Sequence, residues 1–328
     1  MATPSCLENG RLLGLACIGG QPKDWCKDFP VQTIAAPVLG GGDQFLGDVW
    51  LGAAASSTCE AFGTRFRHDG NVLYGVIEVA ESGFEAKGDA SPLQVATEDV
   101  YRRIFQLLDQ EGYPHLWRVW NYLAAINADD QGLERYRQFN IGRQAAFVGS
   151  DRPAEGNVPA ACALGVSEGP LTIAFLAART APVPLENPRQ VSAYLYPAEY
   201  GPRSPVFSRA ALAYLPGQEL FFVSGTASIV GHQTLHLGDV VAQTRETFAN
   251  IEILLGEAEK VSRTSPYRLS ELSYRAYVRH AADFPLAAQT VAEVVGPDAN
   301  VVYVQADVCR ADLLVEIEAM ASHRIAPR

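Results

Sequence analysis

The stretch that follows Ser91 and Pro92 has apolar residues at helical spacing. One face carries Val100, Ile104, Leu107 and Leu108, and charged residues occupy the opposite face. Serine is a favoured N-cap, proline is favoured at the first helical position, and glycine is favoured just after the last one. With Gly112 closing the segment, the pattern predicts an amphipathic helix that begins at Pro92.

The same order of elements occurs twice along the chain. In the first half, the predicted helix precedes HLWRVWNYLAAIN, an apolar and aromatic run that is typical of a buried strand. In the second half, Asp239 is a cap for the helix pattern VVAQTRETFANIEILLGEAEK, and the strand pattern LSYRAYVRH follows it. The ranges 97–127 and 243–280 therefore look like two copies of one unit.

This organisation predicts an α/β (α+β) protein with two lobes of mixed β-sheet. Helices should cover one face of each sheet, and a pocket should lie between or beside the lobes. We expect an irregular N-terminal arm, or short edge strands packed on the body, over 1–44, an N-terminal lobe over 45–190 and a C-terminal lobe over 191–328.

The composition narrows the choice of partners. A net charge of −11 and a pI near 5.1 argue against nucleic acid or an anionic membrane, so an anionic ligand must meet a local cluster of basic residues. The N-terminal residues lack a basic segment and an apolar run of the roughly 20 residues that cross a bilayer, so we expect a cytoplasmic protein. The six cysteines are irregularly spaced, which favours free thiols.

Known cofactor and metal motifs are absent from the sequence. It has no glycine-rich phosphate loop, no Gly-x-Ser-x-Gly and no His-Glu-x-x-His. His232 and His236 have i, i+4 spacing, but the residues before them predict a strand and turn, which would not bring both imidazoles to one face. We expect no metal, no cofactor and a substrate that carries carboxylates.

Two segments supply candidates for anion binding, namely FNIGRQAAF and the turn-rich range 191–210. Arginine forms bidentate hydrogen bonds to carboxylates, and tyrosine adds a directional donor. The arginines are Arg143, Arg203 and Arg209, and the tyrosines near them in sequence are Tyr136, Tyr194 and Tyr196. Each arginine alone also fits a surface position or a structural ion pair, so both interpretations stay open.

Glu316 interrupts the apolar run LLVEIEAMA, where a strand should be buried. Burial would raise the pKa of its carboxyl, as a general acid at neutral pH requires. Glu318 lies on the same face, so an edge strand with both carboxylates in solvent is an equal alternative. Cys309 fits a small pocket residue better than a nucleophile, and the small residues over 224–228 would let a ligand approach the backbone.

The range 215–325 resembles the RidA (YjgF) superfamily in SGTAS, AQTRETFANIEILL, YRAYV and LLVEIEAMA. From about residue 45 onward the chain resembles the chorismatase family, whose members contain two RidA-like lobes in one polypeptide. The matching text includes WNYLAAIN, ERYRQFNIGR, SAYLYPAEYGPRSPVFSRA and GDVVAQTRETFANI. The resemblance implies two RidA-like lobes and an enzyme that removes pyruvate from chorismate without a cofactor.

The resemblance also assigns roles to residues of this chain. It implies that Glu316 is the catalytic acid and that the substrate is bound by Tyr136, Arg143, Tyr196 and Arg209. It implies that the product is selected by Ala227 and Cys309. Further candidates for the pocket lining are Tyr194, Arg203 and Thr226.

The two product-selecting positions point in different directions. In the family, a cysteine at the position of Cys309 goes with formation of 3-hydroxybenzoate, whereas an alanine at the position of Ala227 goes with hydrolysis. We expect pyruvate and 3-hydroxybenzoate, with 4-hydroxybenzoate as a further product and hydrolysis to a dihydroxycyclohexadiene carboxylate as the alternative.

Two other function classes remain as alternatives, a RidA-like enamine or imine deaminase and a small-molecule-binding module. A RidA-type site lies between subunits, whereas two fused lobes can complete a pocket alone. We therefore expect a monomer, and a trimer would favour the deaminase.

Overall fold

The computed structural model describes residues 10–20, 24–41 and 46–325. Within these ranges the helices are α1 (Pro92–Glu111), α2 (Arg135–Gly149), α3 (Val240–Glu259) and α4 (Phe284–Val295). The strands of the first half are β1 (Leu12–Ile18), β2 (Val31–Ile34), β3 (Val38–Leu39), β4 (Leu46–Leu51), β5 (Cys59–Ala61), β6 (Thr64–His68), β7 (Val72–Val79), β8 (His115–Ala124), β9 (Asp129–Asp130), β10 (Leu133–Glu134), β11 (Ala160–Val166) and β12 (Leu171–Ala178). Those of the second half are β13 (Val183–Leu185), β14 (Ala210–Leu215), β15 (Gln218–Ala227), β16 (Ile229–Val230), β17 (Gln233–Thr234), β18 (Ser273–Val278), β19 (Val301–Gln305) and β20 (Val315–Arg324).

The ends of α1 and α3 follow the capping signals in the sequence. The Ser91 hydroxyl accepts a hydrogen bond from the backbone N–H of Gln94 at 3.2 Å, and Gly112 ends α1 with a φ of 71°. Asp239 accepts from the backbone N–H of Ala242 at 3.0 Å. Both predicted helices are confirmed. In the described ranges, no helix combines the length and the apolar character that a membrane span requires.

The helix α2 has no counterpart among the predicted elements. Its buried residues include Gln138, Asn140 and Arg143 beside Phe139 and Phe147. Because polar and apolar side chains share its buried face, α2 lacks the clean apolar stripe that marks α1. Its buried face contains polar functional groups, so a search for apolar residues at helical spacing does not detect this helix.

Two large sheets repeat one arrangement. Their strand orders are β11-β8-β12-β7-β6-β5 and β13-β14-β15-β20-β18-β19-β3. Each contains one parallel pair, β8 with β11 and β18 with β19, beside antiparallel neighbours. The elements β6, β7, α1, β8, α2, β11 and β12 correspond in order to β14, β15, α3, β18, α4, β19 and β20. The internal duplication and the mixed-sheet fold class are therefore confirmed.

The N-terminal residues contain regular strands. All seven residues of β1 are buried, and β1 pairs in parallel with β2 and antiparallel with β4. Of the two forms expected for 1–44, the described residues show strands packed on the body. Two strands that precede residue 191 belong to the sheet of the second half. In that seven-stranded sheet, β3 pairs with β19 and β13 pairs with β14. The division at 44/45 and 190/191 stays a prediction, and part of the arm lies outside the described residues, namely 1–9, 21–23 and 42–44.

Helices cover one face of each large sheet, and the opposite faces meet. The helices α1 and α2 pack on the six-stranded sheet, whereas α3 and α4 pack on the seven-stranded sheet. A further apolar cluster joins the two uncovered faces and includes side chains from β1 and β2. Its large members are Tyr74, Trp117, Trp120, Tyr122, Phe222 and Tyr277. The interface between the sheets is therefore a second interior.

This interior contains a buried ionic network. Arg118 of β8 forms an ion pair with Glu318 of β20, and Arg275 of β18 lies 3.2 Å from the same carboxylate. Tyr277 donates a hydrogen bond to Glu318 at 3.0 Å. Although burial alone would raise it, the charges of Arg118 and Arg275 hold the pKa of Glu318 below its ordinary value. Glu318 is therefore an ionised group that links the two sheets.

We predict that Arg118→Met lowers the free energy of unfolding by about 3 kcal/mol, because it leaves the Glu318 charge buried without its main partner. Urea unfolding followed by circular dichroism measures this change. The control is Arg103→Met, which removes a partly exposed pair with Asp99 and should cost less than about 1 kcal/mol. Equal effects of the two substitutions would contradict the role given to the network.

Candidate active site

A cavity of about 560 Å³ lies at one end of the interface between the sheets. Its wall combines residues from both halves of the chain: the turn and helix start over 127–137, the range 196–209, the end of β15, and the range 309–312 before β20. A narrow extension of about 30 Å³ continues inward to Arg143.

Glu316 forms part of the cavity wall and of the extension. Its strand lies in the middle of the sheet, where Glu316 is paired with Ala227 on one side and Tyr277 on the other. Only 4% of Glu316 is exposed. The alternative of an edge strand with both carboxylates in solvent is therefore wrong.

The environment of Glu316 favours a neutral carboxyl group. Burial, with a further contribution from the charge of Glu318, raises the pKa of Glu316 to about 8, while Arg118 and more distant arginines oppose the shift. Glu318 takes the ion pairs that would otherwise stabilise a Glu316 carboxylate. Glu316 is thus protonated at neutral pH and faces the cavity, which is what a general acid requires.

A β-bulge beside Glu316 makes room for its carboxyl group. The register between β15 and β20 shifts between Val223 and Thr226, and Gly225 lies within the shift. A Cβ atom on Gly225 would overlap the Glu316 carboxyl oxygen and lie 3.2 Å from the Cβ atom of Cys162. Gly225 and Ala227 both line the cavity, and the missing side chain at Gly225 also makes room for the Glu316 carboxyl group.

Arg209 presents an unpartnered donor to the cavity. It is 5% exposed, and one terminal nitrogen donates to the Val191 carbonyl oxygen and to the Tyr196 hydroxyl, both at 2.8 Å. Its Nε has no hydrogen-bond partner among the described residues. Glu186 interacts with Arg209 at longer range, and burial raises the pKa of Glu186. Arg209 is therefore held in place with a donor left to bind an anion.

Arg143 lies at the inner end of the site and is more deeply buried. Only 2% of it is exposed, and its guanidinium carbon lies 5.1 Å from the ring centre of Tyr101 and 5.4 Å from that of Phe147. Within the described part of the chain, its Nε and Nη2 have no hydrogen-bond partner. A buried guanidinium with two open donors suits a ligand carboxylate.

Tyr136 lies between these groups. It lines both the cavity and the extension, and its ring stacks on Phe139 of the same helix with centroids 6.5 Å apart. Burial and the neighbouring acids raise the pKa of Tyr136 well above its ordinary value. Its hydroxyl therefore stays protonated and can donate to an anionic ligand.

The structure brings most of the sequence-predicted site residues together. Those that line the cavity or its extension are Tyr136, Arg143, Tyr196, Arg209, Ala227, Cys309 and Glu316. The three further pocket candidates lie elsewhere in the described structure: Arg203 is exposed, Tyr194 packs on the core of the first sheet, and Thr226 faces away. Thr226 alternates with Gly225 and Ala227, and its hydroxyl donates to the Ser224 carbonyl oxygen at 2.8 Å.

Arg310 also lines the cavity, although no sequence pattern marked it. Its guanidinium carbon lies 4.0 Å from the ring centre of Tyr200 and 5.1 Å from that of Tyr196, and its Nη1 donates to the His232 carbonyl oxygen at 2.8 Å. Its Nη2 has no partner in the described ranges. In the sequence, only its position next to Cys309 indicated that Arg310 could line the cavity.

Only the second copy of the duplicated unit carries the acid. The register places Thr172 of β12 opposite Tyr122, as it places Glu316 of β20 opposite Tyr277. The two tyrosine hydroxyls lie 2.6 Å apart, so the two strand pairs meet at the interface. The tyrosine of the first copy has a threonine opposite it, whereas the tyrosine of the second copy has a carboxyl group.

The chain is similar to known proteins over most of its length. Residues 48–177 match the family model described as "Chorismatase FkbO/Hyg5-like, N-terminal". The chain is 38% identical over 284 residues to a 3-hydroxybenzoate synthase of Streptomyces hygroscopicus, with 83% of this chain and 80% of that protein covered. It is 38% identical over 290 residues to a chorismatase of Streptomyces rapamycinicus, with 85% and 83% covered.

A crystal structure of a chorismatase has the same fold. It matches with a TM-score of 0.86 and 31% identity, covering 98% of this chain and 96% of that one. The chain belongs to the chorismatase family. The resemblance inferred from the motifs is thereby confirmed.

For this chorismatase-family member, we predict that Gly225→Ala lowers kcat by at least about tenfold, because the new methyl group displaces the Glu316 carboxyl and misplaces the proton it donates. Steady-state kinetics measure the change. Gly256→Ala is the matched control, since a Cβ atom on that exposed helical glycine meets no atom within 4 Å. An unchanged kcat for Gly225→Ala would contradict the steric role of Gly225.

Proposed function

We propose that this protein is a chorismatase that cleaves chorismate to pyruvate and 3-hydroxybenzoate, with Glu316 as the proton donor. One observation carries the proposal. A buried carboxyl group whose pKa is raised to about 8 faces a cavity lined by arginines with unpartnered N–H donors. The similarity to a 3-hydroxybenzoate synthase and to chorismatases supports the same activity.

The unpartnered arginine donors at the cavity fit a dicarboxylate. Chorismate carries one carboxylate on its ring and one on its enolpyruvyl group. Arg143, Arg209 and Arg310 each have an open donor, and none of them forms an ion pair with a carboxylate in the described residues. Binding the dianion would satisfy donors that are otherwise buried without a partner. Tyr136 and Tyr196 add hydroxyl donors that orient the two groups.

The reaction begins with proton transfer from Glu316 to the methylene carbon of the enol ether. The electrons of the carbon–carbon double bond form the new carbon–hydrogen bond, and positive charge develops on the ether carbon. The Glu316 carboxylate left behind stabilises that charge within the low-dielectric cavity. Arg143, Arg209 and Arg310 bind the two carboxylates, one of which is attached to the ether carbon itself, and so fix the position of the enol ether beside Glu316.

The fate of the cation decides the product. Capture by the neighbouring ring hydroxyl, followed by loss of pyruvate and of a ring proton, gives 3-hydroxybenzoate; the two products together contain all the atoms of chorismate. Capture by water gives pyruvate and a dihydroxycyclohexadiene carboxylate instead. Ala227 and Cys309 both lie in the cavity wall near Glu316, where small differences in side-chain volume control how closely water or the hydroxyl approaches.

We predict that Glu316→Gln lowers kcat by at least about 100-fold, because the amide cannot donate a proton of comparable acidity. Binding of a non-reactive analogue, chorismate with its enolpyruvyl double bond saturated, should change little, since glutamine matches the neutral carboxyl in size and charge. Stopped assays for pyruvate measure kcat, and isothermal titration calorimetry measures the affinity for the analogue. Glu134→Gln alters another carboxylate of the same cavity and should retain most of the activity. Near-normal turnover by Glu316→Gln would exclude it as the proton donor.

The pH profile gives an independent prediction. Glu316 can donate a proton only while its carboxyl group is protonated, and the pKa of that group is raised to about 8. Therefore kcat/KM should be high below about pH 8 and fall as the pH rises through that value. One unit above the pKa, the rate should be about tenfold lower. Glu318→Gln removes the negative charge that helps to raise the pKa of Glu316, so it should move the midpoint to lower pH. A midpoint that moves upward would contradict the assignment.

A further inference from the structure

A second cavity lies at the other end of the interface between the sheets. It has an outer part of about 600 Å³ and an adjoining inner part of about 280 Å³. Both parts share Trp50, Phe222, Ser273 and Met320 in their walls. Met320 is four residues beyond Glu316 on β20, which corresponds to about 13 Å along the strand. Nothing in the proposed reaction uses this space.

The walls of the inner part suit a flat ring. Trp50 lies 5.4 Å from Trp120 and 6.4 Å from Phe222 between ring centroids. The outer part continues the apolar surface with Leu13, Trp117 and Leu220. Aromatic side chains that line a concave space favour aromatic ligands through stacked and edge contacts.

Two buried donors in the inner wall have no partner. They are Nη1 of Arg118 and Nε1 of Trp120, and neither has a hydrogen-bond acceptor among the described residues. Arg118 is 2% exposed and Trp120 is 3% exposed. The guanidinium carbon of Arg118 lies 5.2 Å from the centre of the Trp120 ring, so the two side chains are neighbours. Unpaired buried donors are costly, and a ligand acceptor that reaches them would offset that cost.

The charges in the inner wall are already balanced. Arg118 and Arg275 contribute two positive charges, and Glu318 and Asp48 contribute two negative charges with which they form ion pairs. An anionic ligand would add an uncompensated charge to a buried site. The inner cavity therefore favours an uncharged acceptor, in contrast to the active-site cavity with its open arginines.

From these observations we propose that this second cavity binds a neutral, flat aromatic compound whose carbonyl oxygen accepts hydrogen bonds from Arg118 and Trp120. The ring lies against the wall that Trp50, Trp120 and Phe222 form, and any further apolar part of the ligand occupies the outer cavity. This site is separate from the cavity that contains Glu316.

The sequence provides a direct probe, because the chain has two methionines, Met1 and Met320. Protein labelled with methyl-¹³C methionine gives a Met320 signal that Met320→Leu assigns. Titration with 2-naphthamide should shift this signal saturably. Naphthalene, which lacks the acceptor, and 2-naphthoate, which is charged, should each bind at least about fivefold more weakly. The saturated chorismate analogue, bound at the active site, should not displace 2-naphthamide.

Substitution of the donor gives the second arm of the test. Trp120→Phe keeps an aromatic ring but removes the N–H, and it should weaken 2-naphthamide binding about fivefold. Trp25→Phe is the control, because Trp25 packs against Phe29 and lines neither part of the cavity. If Trp120→Phe does not fold, the comparison of the three ligands on the unaltered protein decides the question. The proposal is overturned if 2-naphthamide leaves the Met320 signal unchanged, if it is displaced by the chorismate analogue, or if naphthalene or 2-naphthoate binds equally well.

Discussion

Two carboxyl groups, two residues apart on β20, determine the chemistry of this protein. The period of a strand places Glu316 and Glu318 on the same face, and the packing of the two sheets buries both. Arg118 and Arg275 compensate Glu318 alone. Two neighbouring buried carboxylates cannot both remain charged at low cost, so Glu318 is ionised and Glu316 holds its proton. Burial raises the pKa of Glu316, and the Glu318 charge within the ionic network that joins the sheets raises it further.

The duplication explains how one chain can support this asymmetry. Both copies contribute a sheet, two helices and a central tyrosine, but the residue opposite that tyrosine is Thr172 in the first copy and Glu316 in the second. The first half supplies Arg143 at the active-site cavity and Arg118 at the ionic network, and the second half supplies Arg209, Arg310 and Arg275. Fusion of the copies in one polypeptide lets each half specialise, which identical subunits could not do.

The sequence predicted what depends on local patterns. Capping residues located α1 and α3, and the acid within LLVEIEAMA marked Glu316. Contacts between distant residues could not be inferred, since Arg118 and Glu318 are 200 positions apart. Proximity in sequence was also misleading. Arg203 and Thr226 stand close to Arg209 and Ala227 along the chain, yet one is exposed and the other faces the opposite side of its strand. Arg310 reaches the cavity through a loop, for which no periodicity exists.

The proposed reaction, cleavage of chorismate by protonation of its enol ether, can be tested on the purified protein. The protein is incubated with chorismate, pyruvate is followed by a coupled assay, and the ring products are resolved by chromatography. We expect one pyruvate and one 3-hydroxybenzoate for each chorismate consumed. Release of pyruvate with the non-aromatic diene acid would contradict the product assignment, and the absence of pyruvate would contradict the function itself.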